Sequence, residues 1–395
     1  MTTSVKTRAR NLVLGALVAD AAAMGLHWLY DQDRIAAVAP KTPEFVGPDP
    51  THFENVPAFF AHAGRLSGAQ SQYGEQAMVM ARALAEGGGA YDASVYASQF
   101  RSHFGYGGKC VGYIDHATRD TLDNFRRSED AMLIKVNAIP FDGDPRFGLA
   151  MMNKANVAIQ QNSGDAVRAS FEKAVRIMAD DDAVVAYGFQ VLDMVMGMPP
   201  VYGAVDQQLP AISKLPALVG AQTVAAVDDA TLMLSVESAV RTTSDHPQSV
   251  AYGVVSANMM QAAINGADMT QVIAAGRADA NTEIDAELAK ALSMVEQANT
   301  EVTKQFGMAC DLKSGVPSAV HNLATTSDYT TAVRNNILRA ATTVVVRSLW
   351  VLWPGRFTGL MGTREFRKLG LTVWVRVLRS MKFCPNCLVK LPISS

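Results

Sequence analysis

GALVADAAAMGLHWLYD, residues 15–31, is the stretch around which this chain reads. Its first half is built from small residues: Gly15, Ala16, Ala19, Ala21, Ala22, Ala23 and Gly25. A helix this rich in Ala and Gly lets neighbouring helices approach closely. One carboxylate, Asp20, sits among them. An acid inside such a helix is costly unless it is paired, hydrogen-bonded or near a metal. If the helix runs on, His27 follows two turns later, near the same face. Two readings stay open at this point: a tightly packed core helix with a satisfied Asp20, or a ligand-binding site.

Outward from this stretch the chain reads as helices. The first spans Arg8 to Met24. Gln76 to Glu86 repeats apolar residues at helical spacing and stops at Gly87-Gly88-Gly89, a strong stop signal. Tyr91 to His103, Ala117 to Arg127, Phe147 to Gln161, Gly164 to Met178 and Asp181 to Met196 follow. Ser244-Asp245-His246-Pro247-Gln248 resembles a helix start, with Asp245 as N-cap and Gln248 closing a capping box. Val250 to Asn265, Met269 to Arg277 and Thr282 to Ala298 continue the pattern. Ser327 is expected to cap a last helix, Asp328 to Leu338. Alternating strand patterns are scarce, so the fold class expected is all-α.

Composition narrows the class. With 49% hydrophobic and 18% charged residues, the 395-residue chain fits a soluble globular protein. No run of 18 or more apolar residues appears, and no membrane partner is expected. Lys6, Arg8 and Arg10 ahead of Leu12–Ala19 could pass for a signal peptide, but Asp20 and the continuing pattern argue for a cytoplasmic protein. Cys110, Cys310, Cys384 and Cys387 do not form a secreted disulfide framework.

The composition breaks near Ala340. Residues 341–395 carry nine Lys plus Arg against a single acid, Glu365, in a chain of net charge −2. Trp350, Trp353 and Trp374 fall there too, and helical periodicity is poor. A basic, aromatic tail is one signature of nucleic-acid or membrane-surface binding. Cys384-Pro-Asn-Cys387 could be half a zinc site, but one CxxC without a second pair is weak.

The residues GALVADAAAMGLHWLYD, SQYGEQAMVMARALAEGG, YGGKCVGYIDHATRDTLDNF and SDYTTAVRNNIL together carry a resemblance. In this order they resemble the ADP-ribosylglycohydrolase family, most of all its J1-crystallin-like branch, over about residues 8–340. The resemblance implies an all-α, multi-helix orthogonal bundle over residues 1–340, with 341–395 as an aberrant basic tail. It implies two magnesium ions held between helices and hydrolysis of the glycosidic bond attaching ADP-ribose to protein. The metals would polarise the ribose and activate a water for attack at the anomeric carbon. The partner implied is ADP-ribose or an ADP-ribosylated substrate, with no nucleic acid. The oligomeric state is left open.

Residue by residue, the family opens with a Gly-Asp pair and, seven residues later, a metal-binding Glu. Here Ala19-Asp20 matches the pair, and His27 stands at the Glu position. Magnesium prefers hard oxygen ligands. The family's first metal loop, a Thr-Asp-Asp-Thr run, falls on Gln72-Tyr73-Gly74-Glu75. The J1-like branch typically has Tyr-Gly-Asp-Gln, so Glu75 replaces an Asp. The implied metal set is Glu75, Asp20 and His27, with Glu75 and Asp20 also catalytic. Tyr73, Tyr113, Asp115 and Arg119 are the implied substrate-binding residues. Tyr73 is either a core aromatic or a wall of the cleft. Asp115 either faces a ligand or caps the helix after it. Tyr106 and Lys109 read best as a solvated loop, and His246 as a first-turn helix residue.

The second metal loop should follow the helix ending near Leu338, yet Arg339 to Arg347 contain no acid. A codon choice exists for Ala340–Arg347 in which another frame reads Gly-Asp-Asn-Cys-Gly-Arg, as in the J1-like branch. Phe357–Thr363 and Arg364–Thr372 continue family-like segments in that frame. The tail is therefore expected to be translated out of frame and poorly ordered, which makes the CxxC an accident. Two functional classes stay open: a magnesium-dependent hydrolase of ADP-ribosyl or related N- or O-glycosidic bonds, and a non-catalytic, crystallin-like structural or ligand-binding protein.

Overall fold

A computed structural model describes residues 4–340, apart from 145 and 163. The expected out-of-frame tail, 341–395, lies outside the described residues.

Helices and turns account for the described architecture; β-structure is limited to isolated bridges such as Leu29 with Ala58. In order, the helices are α1 (Val5–Ala23), α2 (Gln32–Val38), α3 (Gln72–Glu86), α4 (Ala93–Phe104), α5 (His116–Asn137), α6 (Arg146–Gln161), α7 (Asp165–Met178), α8 (Asp182–Met196) and α9 (Pro210–Ser213). They continue with α10 (Leu215–Val224), α11 (Asp229–Arg241), α12 (Pro247–Asn265), α13 (Met269–Ala278), α14 (Thr282–Leu292), α15 (Asn299–Phe306), α16 (Leu312–Thr325) and α17 (Tyr329–Leu338). The all-α expectation holds.

Two compact units divide these elements. One comprises the described residues up to Thr118 and from Ala204 onward. The other is Arg119–Gly203, so the boundary falls inside α5. The sequence alone reads residues 8–340 as one domain.

In the first unit, α1 packs against α3, α10 and α12. The reason is the small-residue face of the opening stretch. Ala19, Ala22 and Ala23 are buried against Leu26, Leu29, Ile35, Val333 and Ile337. Alanines leave room for α17 and the segment after α1 to come close. At Gly25 the fit is tighter still: a Cβ would overlap the Val46 carbonyl. Val5–Leu26 is long and apolar enough to cross a bilayer, but 72% of that span is buried inside the fold, as in a core helix. In the second unit, Phe171, Val175, Met151, Val191 and Leu192 form the centre of a four-helix core. There Gly188 lets α8 approach Phe171 and Met151.

Several boundaries differ from the sequence reading. α1 ends at Ala23; Met24–Leu26 is a 3-10 turn and His27 is extended. Helical periodicity therefore does not relate His27 to Asp20. Trp28 follows in the left-handed region, at φ 64°, an uncommon conformation for a bulky residue. The N-cap of α12 is His246, whose Nδ1 accepts from the Gln248 amide at 3.1 Å. Asp245 instead pairs with Arg241 at 2.5 Å. α17 is capped by Asp328 rather than Ser327.

Candidate functional site

The site grows from the start of α3. Gln72-Tyr73-Gly74-Glu75, which the sequence places in a loop, is the first turn of that helix, with Ser71 as N-cap. Ser71 is held by Asp20: its amide donates to Asp20 Oδ2 at 2.7 Å, and its hydroxyl donates to Oδ1 at 2.7 Å. The Ser71 hydroxyl in turn accepts from the Tyr73 amide at 3.2 Å. Asp20 thus satisfies a free helix N-terminus, where a carboxylate is also favoured by the helix dipole. Gly74 makes this possible. A Cβ there would overlap Asp20 Oδ2 and the Gln70 side-chain oxygen. Asp20 is buried and bound by protein donors, as the packed-helix reading requires.

Glu75 closes the same turn and is held by Arg65 and His103. Arg65 Nη1 donates to its Oε1 at 2.5 Å, and His103 Nε2 lies 2.7 Å from Oε2. Burial works to raise the Glu75 pKa. The His103 hydrogen bond and the Arg65 charge outweigh it and bring the carboxyl down to about 2. Beside it, the Cys110 thiol is pushed up to about 12 by burial and by the Glu75 charge. Neither Arg65 nor His103 was marked by the sequence pattern.

An aromatic wall adjoins the turn. Trp28, Phe59 and Tyr113 pack edge to face with ring centres 5.2–5.7 Å apart, and Phe59 is half exposed. The left-handed Trp28 backbone aims its indole N–H at Cys310 Sγ, 2.9 Å away. His27 stacks near Trp28 and meets Tyr73 edge-on, with centres 4.5 and 5.2 Å apart. Its Nδ1 lies 2.8 Å from His62 Nε2. Burial, helped by Arg65, lowers His62 to about 4, despite the opposing Glu75 charge. Tyr73 is wholly buried, and burial, with Cys310 and Asp115 nearby, raises its pKa well above the usual phenol. It is both core aromatic and neighbour of the site.

Asp115 caps the first turn of α5, accepting from the Thr118 amide at 2.7 Å. Its other oxygen accepts from Gln72 at 3.2 Å. The structure shows the capping role, and Gln72 ties that cap to the first turn of α3. Behind it, Gln76 links Thr118 to Ser213. Lys214, fully buried at the α9–α10 junction, donates to Thr243 and feels Asp115 and Asp206. Burial lowers its pKa to about 7 in spite of those acids. Lys214, His62 and Cys310 are further members that the sequence did not single out.

Of the predicted residues, Asp20, His27, Tyr73, Glu75, Tyr113 and Asp115 fall in the first unit, and Arg119 opens the second. Tyr106 is fully exposed and Lys109 exposed, as expected of a solvated loop. Magnesium takes near-octahedral oxygen ligands and keeps several waters. Here both Asp20 oxygens accept from Ser71, both Glu75 oxygens face cationic or imidazole donors, and His27 offers nitrogen to His62. This donor set does not fit magnesium.

Comparison with known proteins agrees with the fold. The sequence model of the family described as ADP-ribosylglycohydrolase matches residues 1–344. A solved structure described as an "ADP-ribosylglycohydrolase-related protein complex" superposes with a TM-score of 0.54 at 16% identity. The alignment covers 96% of this chain and 97% of that one. A comparison with curated proteins gives no match.

Proposed function

The chain belongs to the ADP-ribosylglycohydrolase family, and from that premise we propose that it binds an ADP-ribosyl group or a related nucleotide glycoside, and cleaves no bond through a two-magnesium centre. The observation that carries this reading is the state of Glu75. It stands where the family resemblance calls for a metal-binding acid, and its charge is already balanced by Arg65 at 2.5 Å and His103 at 2.7 Å. A divalent cation there would have to displace a guanidinium from a carboxylate whose pKa is about 2.

Binding has support of its own. The half-exposed Phe59, backed by the Tyr113 and Trp28 rings, offers apolar aromatic surface to a nucleobase. Tyr113 lies two residues from Asp115, which positions the first turns of α3 and α5 together.

Calorimetry with ADP-ribose, with and without magnesium, tests the reading alongside an assay for ADP-ribose release from modified protein. The expected result is binding that magnesium does not change and that Phe59→Ala weakens, with no magnesium-dependent release. Release that requires magnesium, or no binding at all, overturns the proposal.

A further inference from the structure

One cluster outside the resemblance has its own chemistry. The ligand atoms of Glu75, His103 and Cys110 all lie within 4.8 Å of one another. They come from the first turn of α3, the last turn of α4 and the loop after it. A carboxylate, an imidazole and a thiol at that spacing make a donor set suited to zinc and its neighbours rather than to magnesium.

The cation that stands among them belongs to the protein. Arg65 donates to Glu75 Oε1, and its other terminal nitrogen lies 3.9 Å from Cys110 Sγ. The guanidinium therefore bridges two of the three donors. It is anchored by the backbone carbonyls of Gln70 at 2.6 Å and Val111 at 3.1 Å.

The third donor is turned away from metal binding by its tautomer. Arg82 Nη2 lies 3.1 Å from His103 Nδ1. Arginine has no acceptor, so Nδ1 carries the lone pair. Nε2 then carries the proton and donates it to Glu75 Oε2. A metal on Nε2 would require that proton to sit on Nδ1, against Arg82.

We propose that Arg65 and Arg82 are built-in cations that together close a zinc-class site made of Glu75, His103 and Cys110, and that the site takes metal once both guanidiniums are removed. The inference rests on the reading that this centre works without magnesium. Its test does not involve ADP-ribose, so the two can fail separately.

The experiment is a cobalt(II) titration of the full chain, followed by absorption for a thiolate-to-cobalt charge-transfer band, with zinc as competitor. All proteins carry Cys384→Ser and Cys387→Ser, so that the CxxC contributes no thiolate. The parent is compared with two double variants: Arg65→Met with Arg82→Met, and Arg65→Gln with Arg82→Met, where the glutamine keeps a donor for the Gln70 and Val111 carbonyls and the loss of Arg82 lets His103 Nδ1 carry the proton. Circular dichroism establishes which of them retain the parent's helix content. The expected result is tighter cobalt binding in the folded double variants, by about 100-fold, with a thiolate band that zinc abolishes and Cys110→Ser removes. Equal affinity in parent and variants, or a band that survives Cys110→Ser, overturns the proposal.

Discussion

Lys214 is the buried charge whose replacement tests the site's electrostatics most directly. It is fully buried, and burial lowers its pKa from 10.5 to about 7, with Asp115 and Asp206 opposing that shift. The shift is worth about 5 kcal/mol at about 1.4 kcal/mol per pH unit, as an upper bound on the penalty of holding the amine charged. The sign follows from proton counting. Below pH 7 the amine is charged both folded and unfolded, and the full penalty applies. Between pH 7 and 10.5 the unfolded chain holds a proton that the folded chain has released, so stability rises with pH. Above 10.5 neither state holds it and the penalty is gone.

Lys214→Met removes the amine and keeps most of the volume. It also removes a cation near Asp115 and Asp206 and the donor to Thr243, so its absolute stability is the smaller part of the test. The slope decides. Urea unfolding of both proteins from pH 6 to 9.5 keeps clear of the raised tyrosines. Other titrating groups cancel in the difference between wild type and variant. The expected result is a variant whose advantage is largest at pH 6 and shrinks by about 1 kcal/mol per pH unit above pH 7. Parallel curves across that range would refute the reasoning and mean that Lys214 stays charged beside its two acids.

Two further outcomes follow from the same geometry. Gly74→Ala should lower the melting temperature, costing about 1–3 kcal/mol as overpacking does, because its Cβ overlaps Asp20 and Gln70; an unchanged melt would mean that the Asp20–Ser71 cap can move aside freely. His62, lowered from 6.5 to about 4 mainly by burial, resists protonation in the fold, so stability should fall as pH drops from 6.5 toward 4, by up to about 3 kcal/mol. His62→Gln should flatten that fall above pH 4.5, where Glu75 does not yet titrate; an equally steep fall in the variant would assign the acid sensitivity elsewhere.

Much of the fold was legible because amphipathic contrast was strong. The stretches forming α3, α6, α7 and α8 show apolar stripes, and Gly87-Gly88-Gly89 and Gly197 stop two of them. α10 has no such contrast, since every residue from Leu215 to Gln222 is buried. A helix that is apolar all round lies in the middle of a fold and shows no period. α16 hides for a related reason: Pro317 lies inside it and the whole run Ser314–Leu323 is buried. α11 carries an ordinary stripe of Leu232, Val236 and Val240, which was there to be read.

The site was legible at its acids and opaque at its cations, and the difference is physical. Asp20 stood out because a lone carboxylate among alanines is costly unless something receives it. That reasoning predicts a partner without naming it. The partner proved to be a helix N-terminus 51 residues away, presented by Ser71 over a glycine. Glu75 stood out through its place in a recognised pattern, which assigns it a metal. In the structure it meets Arg65, ten residues earlier, and His103. An arginine before a helix is ordinary in sequence, and no spacing rule joins it to an acid across a turn. Its role appears only when the loop from His62 to Gln70 folds back over α3, where the Gln70 carbonyl and Glu75 receive the guanidinium together. A motif read for its acids alone therefore leaves out the guanidinium that Glu75 receives. The guanidinium also faces Cys110, and His103 meets the other Glu75 oxygen, so groups that the sequence keeps far apart converge on one carboxylate.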